Sequence, residues 1–114
     1  MRKRGIITER TSKELDLAYI RARLPREELL AQLAEEGAEL THAALKLRRA
    51  LDGTNPTPVI IPDAVSALME EVSDVLLLIS LLGLDQDQGD IQATIDFKLS
   101  RWRGRLQERE AREA

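Results

Sequence analysis

Residues 29–50 carry a stripe whose members are spaced alternately by four and three residues. The members are Leu29, Leu33, Glu36, Leu40, Ala43, Leu47 and Ala50. This alternation matches the 3.6-residue period of an α-helix and places every member on one face. A strand repeats every two residues and cannot bury such a pattern, so this segment is predicted to be an amphipathic helix.

The composition favours helices along the rest of the chain. Aromatic residues make up 3% of the 114 residues, and β-branched residues are sparse beside Leu, Ala, Glu and Arg. A similar stripe follows at Val65, Leu68, Val72, Val75, Ile79 and Leu82, and another at Ile91, Ile95, Leu99, Trp102 and Leu106. We therefore expect an all-α, four-helix bundle-like fold in one domain, 1–114, with both later stripes facing inward.

Prolines, glycines and capping residues predict the helix boundaries. Helices are expected to begin near Ser12, which would cap the first, and near Pro25, Pro62 and Asp90. The second is expected to end near residue 51, before Gly53, and the third at residue 82. The fourth is expected to fray beyond about Arg105, and residues 1–11 and 107–114 are expected to be flexible.

Charge and composition exclude several classes of function. The net charge of −3 argues against sequence-blind nucleic-acid binding, and the absence of Cys excludes disulfides and thiolate sites. The apolar stretch 75–84 is too short to span a membrane. We expect a cytoplasmic protein. Its small size and its third helix, apolar on all sides near the end, predict a homodimer or homotetramer.

Four acids lie on or beside the apolar stripes of the second and third helices: Glu36 belongs to the first stripe, and Asp74 lies beside Val75 of the next. Glu36 and Glu39 are three residues apart on the second helix, and Glu71 and Asp74 are three apart on the third. Each pair therefore lies on one helical face, and no Lys or Arg shares the stripe nearby. Gly37 lies between the two acids of the second helix, where it is expected to allow close helix packing or access to the backbone.

Two outcomes are open for such acids: they share protons at raised pKa, or they bind a hard divalent cation. Four carboxylates from two helices suit one or two Mg²⁺ ions, with Mn²⁺ as an alternative. A solvated acidic face is the structural alternative. A di-iron site is disfavoured, because it needs two Glu-x-x-His units and His42 is the only histidine.

Two segments resemble a known enzyme family. Leu33-Ala-Glu-Glu-Gly-Ala-Glu-Leu40 and Leu68-Met-Glu-Glu-Val-Ser-Asp-Val-Leu-Leu78 are similar to the EExxE and ExxD motifs of the MazG-like all-α nucleoside triphosphate pyrophosphohydrolases. The similarity is greatest to short, single-domain members of phage and bacterial type, and it covers roughly residues 25–106. It implies Mg²⁺-dependent hydrolysis of nucleoside triphosphates to a monophosphate and pyrophosphate.

The resemblance also assigns roles to individual residues. It implies that Glu36, Glu39, Glu71 and Asp74 are metal ligands. Glu35 and Glu36 correspond to catalytic positions, with Glu35 as a further metal contact or as the base that orients water. Lys98 and Arg101 resemble basic positions that bind the substrate phosphates.

Two alternatives to this hypothesis remain at the level of sequence. Phosphoribosyl-ATP pyrophosphohydrolases have a similar EExxE arrangement, although their third helix is more aromatic than residues 74–80. The second alternative is a non-catalytic helical oligomerisation module that uses the Leu-rich third helix as its interface.

Overall fold

The computed structural model describes residues 10–56 and 58–114, and these residues form four α-helices and no strand. The helices are α1 (Ser12–Arg21), α2 (Arg26–Asp52), α3 (Ile61–Leu81) and α4 (Gln88–Glu113). The prediction of an all-α chain is therefore confirmed. Within the described residues, no helix is both long enough and apolar enough to cross a membrane.

The chain divides into two compact units. The first, Met1–Gly83, contains α1, α2 and α3, and the second, Leu84–Ala114, contains α4. In the first unit, α3 packs against both α2 and α1.

The first helix begins at the predicted residue but is capped by its neighbour. The Thr11 hydroxyl accepts a hydrogen bond from the Glu14 backbone N–H at 3.1 Å. Thr11 has the extended backbone that a capping residue needs, whereas Ser12 is already helical. The prediction that Ser12 is the cap is therefore wrong by one residue.

Both ends of α2 lie within a residue of their predicted positions. Pro25 has an extended backbone and precedes the helix, rather than forming its first residue as expected. Gly53 ends the helix in the left-handed conformation, with φ of 76°. Next to it, Asp52 accepts hydrogen bonds from the side chain and the backbone N–H of Thr54, and these lower the pKa of Asp52.

A small leucine core joins the three helices of the first unit. Leu29 of α2 packs with three buried leucines at the end of α3, and Leu17 and Ile20 of α1 cover the cluster; the three are Leu78, Leu81 and Leu82. Burial of each leucine is worth about 2 kcal/mol. Arg21 adds a polar contact, because its guanidinium donates to the carbonyls of Leu81, at 2.9 Å, and of Ser80, where α3 ends.

The α2 stripe is oriented as predicted, and so is the α3 stripe except at its first member. Every member of the α2 stripe is buried or half-buried. Of the α3 stripe, Leu82 is buried and Val65 is 41% exposed. The other four members are half-buried: Leu68, Val72, Val75 and Ile79. The sequence did not predict that Ala64, Leu78 and Leu81 are also buried.

The fourth helix corrects two predictions. It continues to Glu113, well past Arg105, and its last turn carries an ion pair of 3.2 Å between Arg109 and Glu113. None of its residues is buried, and its predicted inward stripe is exposed, with Trp102 66% exposed.

The space around Gly37 also differs from the prediction. A Cβ atom built there meets no other part of the described protein within 4 Å. Gly37 is therefore not required for close helix packing, and its absent side chain only weakens α2.

These two glycines predict opposite effects of alanine on stability. Gly53→Ala places a Cβ on a left-handed residue and is expected to lower the free energy of unfolding by about 1 kcal/mol. Gly37→Ala is expected to raise it by up to about 1 kcal/mol, through helix propensity. Urea unfolding followed by circular dichroism measures both. A neutral Gly53→Ala would contradict the described end of α2.

Candidate metal centre

Three carboxylates from facing turns of α2 and α3 converge on one point. They belong to Glu36 of α2 and to Glu71 and Asp74 of α3. One oxygen atom from each side chain lies within 4.8 Å of the other two, and all three residues are half-buried. Three of the four predicted metal ligands are thus brought together.

The leucine core determines which acids meet. Leu29 contacts the cluster that contains Leu78, and Glu36 lies two turns beyond Leu29 along α2. Glu71 lies two turns before Leu78 along α3, so two antiparallel helices in this register place Glu36 opposite Glu71. Asp74, one turn from Glu71, then lies on the same face.

The Glu71 carboxyl group is in an environment unfavourable to its charge. Burial raises the pKa of Glu71, and the nearby negative charges of Asp74 and Glu36 raise it further. Its Oε2 atom is shielded from solvent and has no hydrogen-bond partner among the described residues. A shielded oxygen without a partner is destabilising, and a cation or proton at this position would relieve it.

No basic side chain neutralises this cluster through an ion pair. Within the described ranges 10–56 and 58–114, the one ion pair shorter than 4.0 Å joins Arg109 and Glu113 at the end of α4. The repulsion between the negative charges of Glu36, Glu71 and Asp74 is therefore not offset by an ion pair with a described residue.

The donor set fits a hard divalent cation. Mg²⁺ takes carboxylate oxygens as ligands at about 2.1 Å, so two ligands on opposite sides of one ion lie about 4.2 Å apart. The three carboxylate oxygens lie within 4.8 Å of one another, a separation of the same order. Three protein oxygens leave further positions of an octahedral ion for water or a substrate phosphate.

The remaining predicted acids lie on the more exposed side of α2. Glu39 is exposed and does not belong to the group of three, but its charge adds to the increase in the pKa of Glu71. Glu35, one turn before Glu39, is also exposed. The structure therefore places Glu39 near the cluster and does not bring Glu35 into it.

The two predicted phosphate-binding residues lie in the second unit. Lys98 and Arg101 line a groove of about 320 Å³ along α4, together with Trp102. The Arg101 guanidinium also lies over the Phe97 ring, 5.6 Å from its centroid. Within α4 this stacking gives Arg101 a contact that does not depend on any substrate.

Sequence reasoning overlooked a second group of polar residues next to the acids. A groove of about 240 Å³ between α2 and α3 is lined by Glu39, His42, Ala43, Lys46, Arg49, Ala67 and Glu71. Four of its polar residues belong to α2 and are spaced by three, four and three positions: Glu39, His42, Lys46 and Arg49. That helical spacing was visible in the sequence. However, Glu39 was predicted only as a metal ligand, His42 was weighed only for a di-iron site, and no role was predicted for Lys46 or Arg49.

Glu71 predicts a pH dependence of stability in the metal-free protein. Because the pKa of Glu71 is raised in the folded state, the folded protein keeps this proton at pH values above 4.5, where the unfolded chain has lost it. The stabilisation from this proton is present below pH 4.5 and is lost as the pH rises through the raised pKa. Compared with wild type in EDTA, Glu71→Gln should therefore gain stability as the pH rises. Urea unfolding across this range measures the difference. A difference independent of pH, or one reproduced by the exposed neighbour Glu70→Gln, would contradict the environment described for Glu71.

Comparison with protein-family models, with curated proteins and with solved structures finds no match to the chain. A functional assignment therefore depends on the chemistry of the acid cluster and on the motifs that surround it.

Proposed function

We propose that the chain is a Mg²⁺-dependent nucleoside triphosphate pyrophosphohydrolase of the MazG-like type, with Mn²⁺ as a possible substitute. The observation that carries this proposal is the meeting of Glu36, Glu71 and Asp74 within 4.8 Å without an ion-paired cation among the described residues. Helical packing that retains three mutually repelling acids is explained if their function is to hold a cation.

The proposed reaction is the hydrolysis of the bond between the α- and β-phosphates. A water oxygen attacks the α-phosphorus, and the bond from that phosphorus to the oxygen bridging the β-phosphate breaks. The bridging oxygen leaves with pyrophosphate, and the nucleoside monophosphate retains the water oxygen. A bound Mg²⁺ ion would neutralise phosphate charge and lower the pKa of a coordinated water.

The protein residues divide this work between them. Glu36, Glu71 and Asp74 would hold the cation, and Glu39 would complete the set from the exposed side of α2. Glu35 is assigned to accept the proton of the attacking water, since a carboxylate oxygen can act as a general base. Lys98 and Arg101 remain candidates for phosphate contacts from α4.

We also propose a homodimer or homotetramer with the helical arrangement of the MazG fold, acting on the cytoplasmic nucleotide pool. Exposed apolar side chains support assembly: Leu76 is 57% exposed, Leu77 47% and Leu99 58%. Where exposed apolar side chains form a patch, the patch commonly marks a protein interface. The same exposure also favours the alternative of a non-catalytic oligomerisation module.

Pyrophosphate release tests the proposed reaction. Wild-type protein with Mg²⁺ is expected to release pyrophosphate from at least one substrate in a panel of ribo- and deoxyribonucleoside triphosphates, dUTP and phosphoribosyl-ATP. Glu36→Gln and Glu71→Gln should each lower kcat/KM by roughly 100-fold or more, because each removes a charged ligand. The control Glu70→Gln changes an exposed acid next to Glu71 and should retain wild-type activity.

Three results would decide between the alternatives. Release from phosphoribosyl-ATP alone would assign the chain to that activity. No release from any substrate with Mg²⁺ or Mn²⁺ would contradict an enzyme and favour the oligomerisation module. Equal loss in Glu70→Gln and Glu71→Gln would contradict the placement of the site.

A further inference from the structure

The groove between α2 and α3, defined above by its seven lining residues, is continuous with the acid cluster. Glu71 belongs to both, since it lines the groove and shares the metal centre with Glu36 and Asp74. A molecule in the groove would therefore lie beside a residue of the proposed cation site. The groove is the nearest described cavity to the proposed chemistry.

The two ends of the groove carry opposite charges. Glu39 and Glu71 form an acidic end, and Lys46 and Arg49, two to three turns further along α2, form a basic end. Lys46 and Arg49 are one turn apart on the same helical face, so their positive charges repel one another. Neither makes an ion pair within 4.0 Å with another described residue. The Arg49 charge also contributes a little to the lowered pKa of Asp52, but no direct contact holds its guanidinium there.

Small side chains form the walls between the two ends. Ala43 of α2 and Ala67 of α3 both line the groove. Larger apolar residues at these two positions would fill the space, as leucines do at the other end of the same helix pair. The alanines thus keep open a passage from the acids to the bases.

The size of the groove favours a small polar group. Sites that enclose a whole drug-sized ligand commonly measure about 300–1,000 Å³. The groove measures about 240 Å³, which is below this range and is sufficient for a chain of phosphates. The nucleoside would extend beyond its lining residues.

We infer that this groove binds the phosphate chain of the substrate, and that Lys46 and Arg49 hold the two phosphates that leave as pyrophosphate. The inference rests on the proposed function for the identity of the phosphate compound. The α-phosphate lies at the acidic end, where the cation offsets the repulsion from Glu39 and Glu71. The β- and γ-phosphates extend toward the basic end, where Lys46 and Arg49 donate charge-assisted hydrogen bonds to their oxygens.

This arrangement gives each end of the groove a separate task. The acids and their cation act at the α-phosphorus, whereas Lys46 and Arg49 bind the departing group. Because the bases contact the phosphates before and during the reaction, their loss should weaken substrate binding more than turnover.

Charge-removing variants test the inference. Lys46→Met and Arg49→Gln are each expected to raise KM for the best triphosphate substrate by roughly 10-fold to 100-fold, with a smaller effect on kcat. Lys46→Arg should restore most of the affinity. The matched control is Arg48→Gln, which removes an exposed arginine between them that does not line the groove. Thermal unfolding with and without Mg²⁺ checks that each variant folds and retains the cation.

Calorimetry with inorganic pyrophosphate and Mg²⁺ separates this inference from the proposed function. If the wild type hydrolyses triphosphates but folded Lys46→Met and Arg49→Gln keep wild-type KM and pyrophosphate affinity, the groove assignment is overturned and the enzyme remains. If the wild type hydrolyses none, the proposed function fails. Pyrophosphate binding lost in both variants would then still support the anion site, and no pyrophosphate binding by the wild type would overturn it.

Discussion

The contact between α2 and α3 determines the rest of this structure. Leucines at one end of the helix pair, Leu29 with Leu78 and its neighbours, fix the antiparallel register. Two turns away, the same register forces Glu36, Glu71 and Asp74 together. The favourable burial of leucine thus holds a repulsive carboxylate cluster in place. A cation or proton bound there would offset the repulsion between the carboxylates.

Much of the helical framework could be predicted from local sequence. The α2 stripe was correct in all its members because the 3.6-residue period of a long helix is unambiguous, and Gly53 ends α2 because only glycine adopts positive φ readily. The α4 stripe was wrong as a buried face. Periodicity reveals which residues share a face but does not reveal whether another surface covers that face.

The sequence predicted that acids of α2 and α3 meet, but it did not predict which of them belong to the cluster. Spacing alone placed Glu36 with Glu39, and Glu71 with Asp74, yet Glu39 lies outside the group of three. Residues three apart are separated by about 60° around the helix axis, so a slight rotation of α2 favours one over the other. The groove at Lys46 and Arg49 depends on alanines from two helices, and such pairing across helices is not visible in a single stripe.

If the convergent acids are a cation site, a bound ion should be visible between them. A crystal of the protein grown with Mn²⁺ and measured at the manganese absorption edge would reveal it. An anomalous peak is expected about 2.1 Å from oxygens of Glu36, Glu71 and Asp74, a distance typical of small hard cations. Clear electron density for these three side chains without such a peak, with their carboxyl groups hydrogen-bonded to one another, would contradict it.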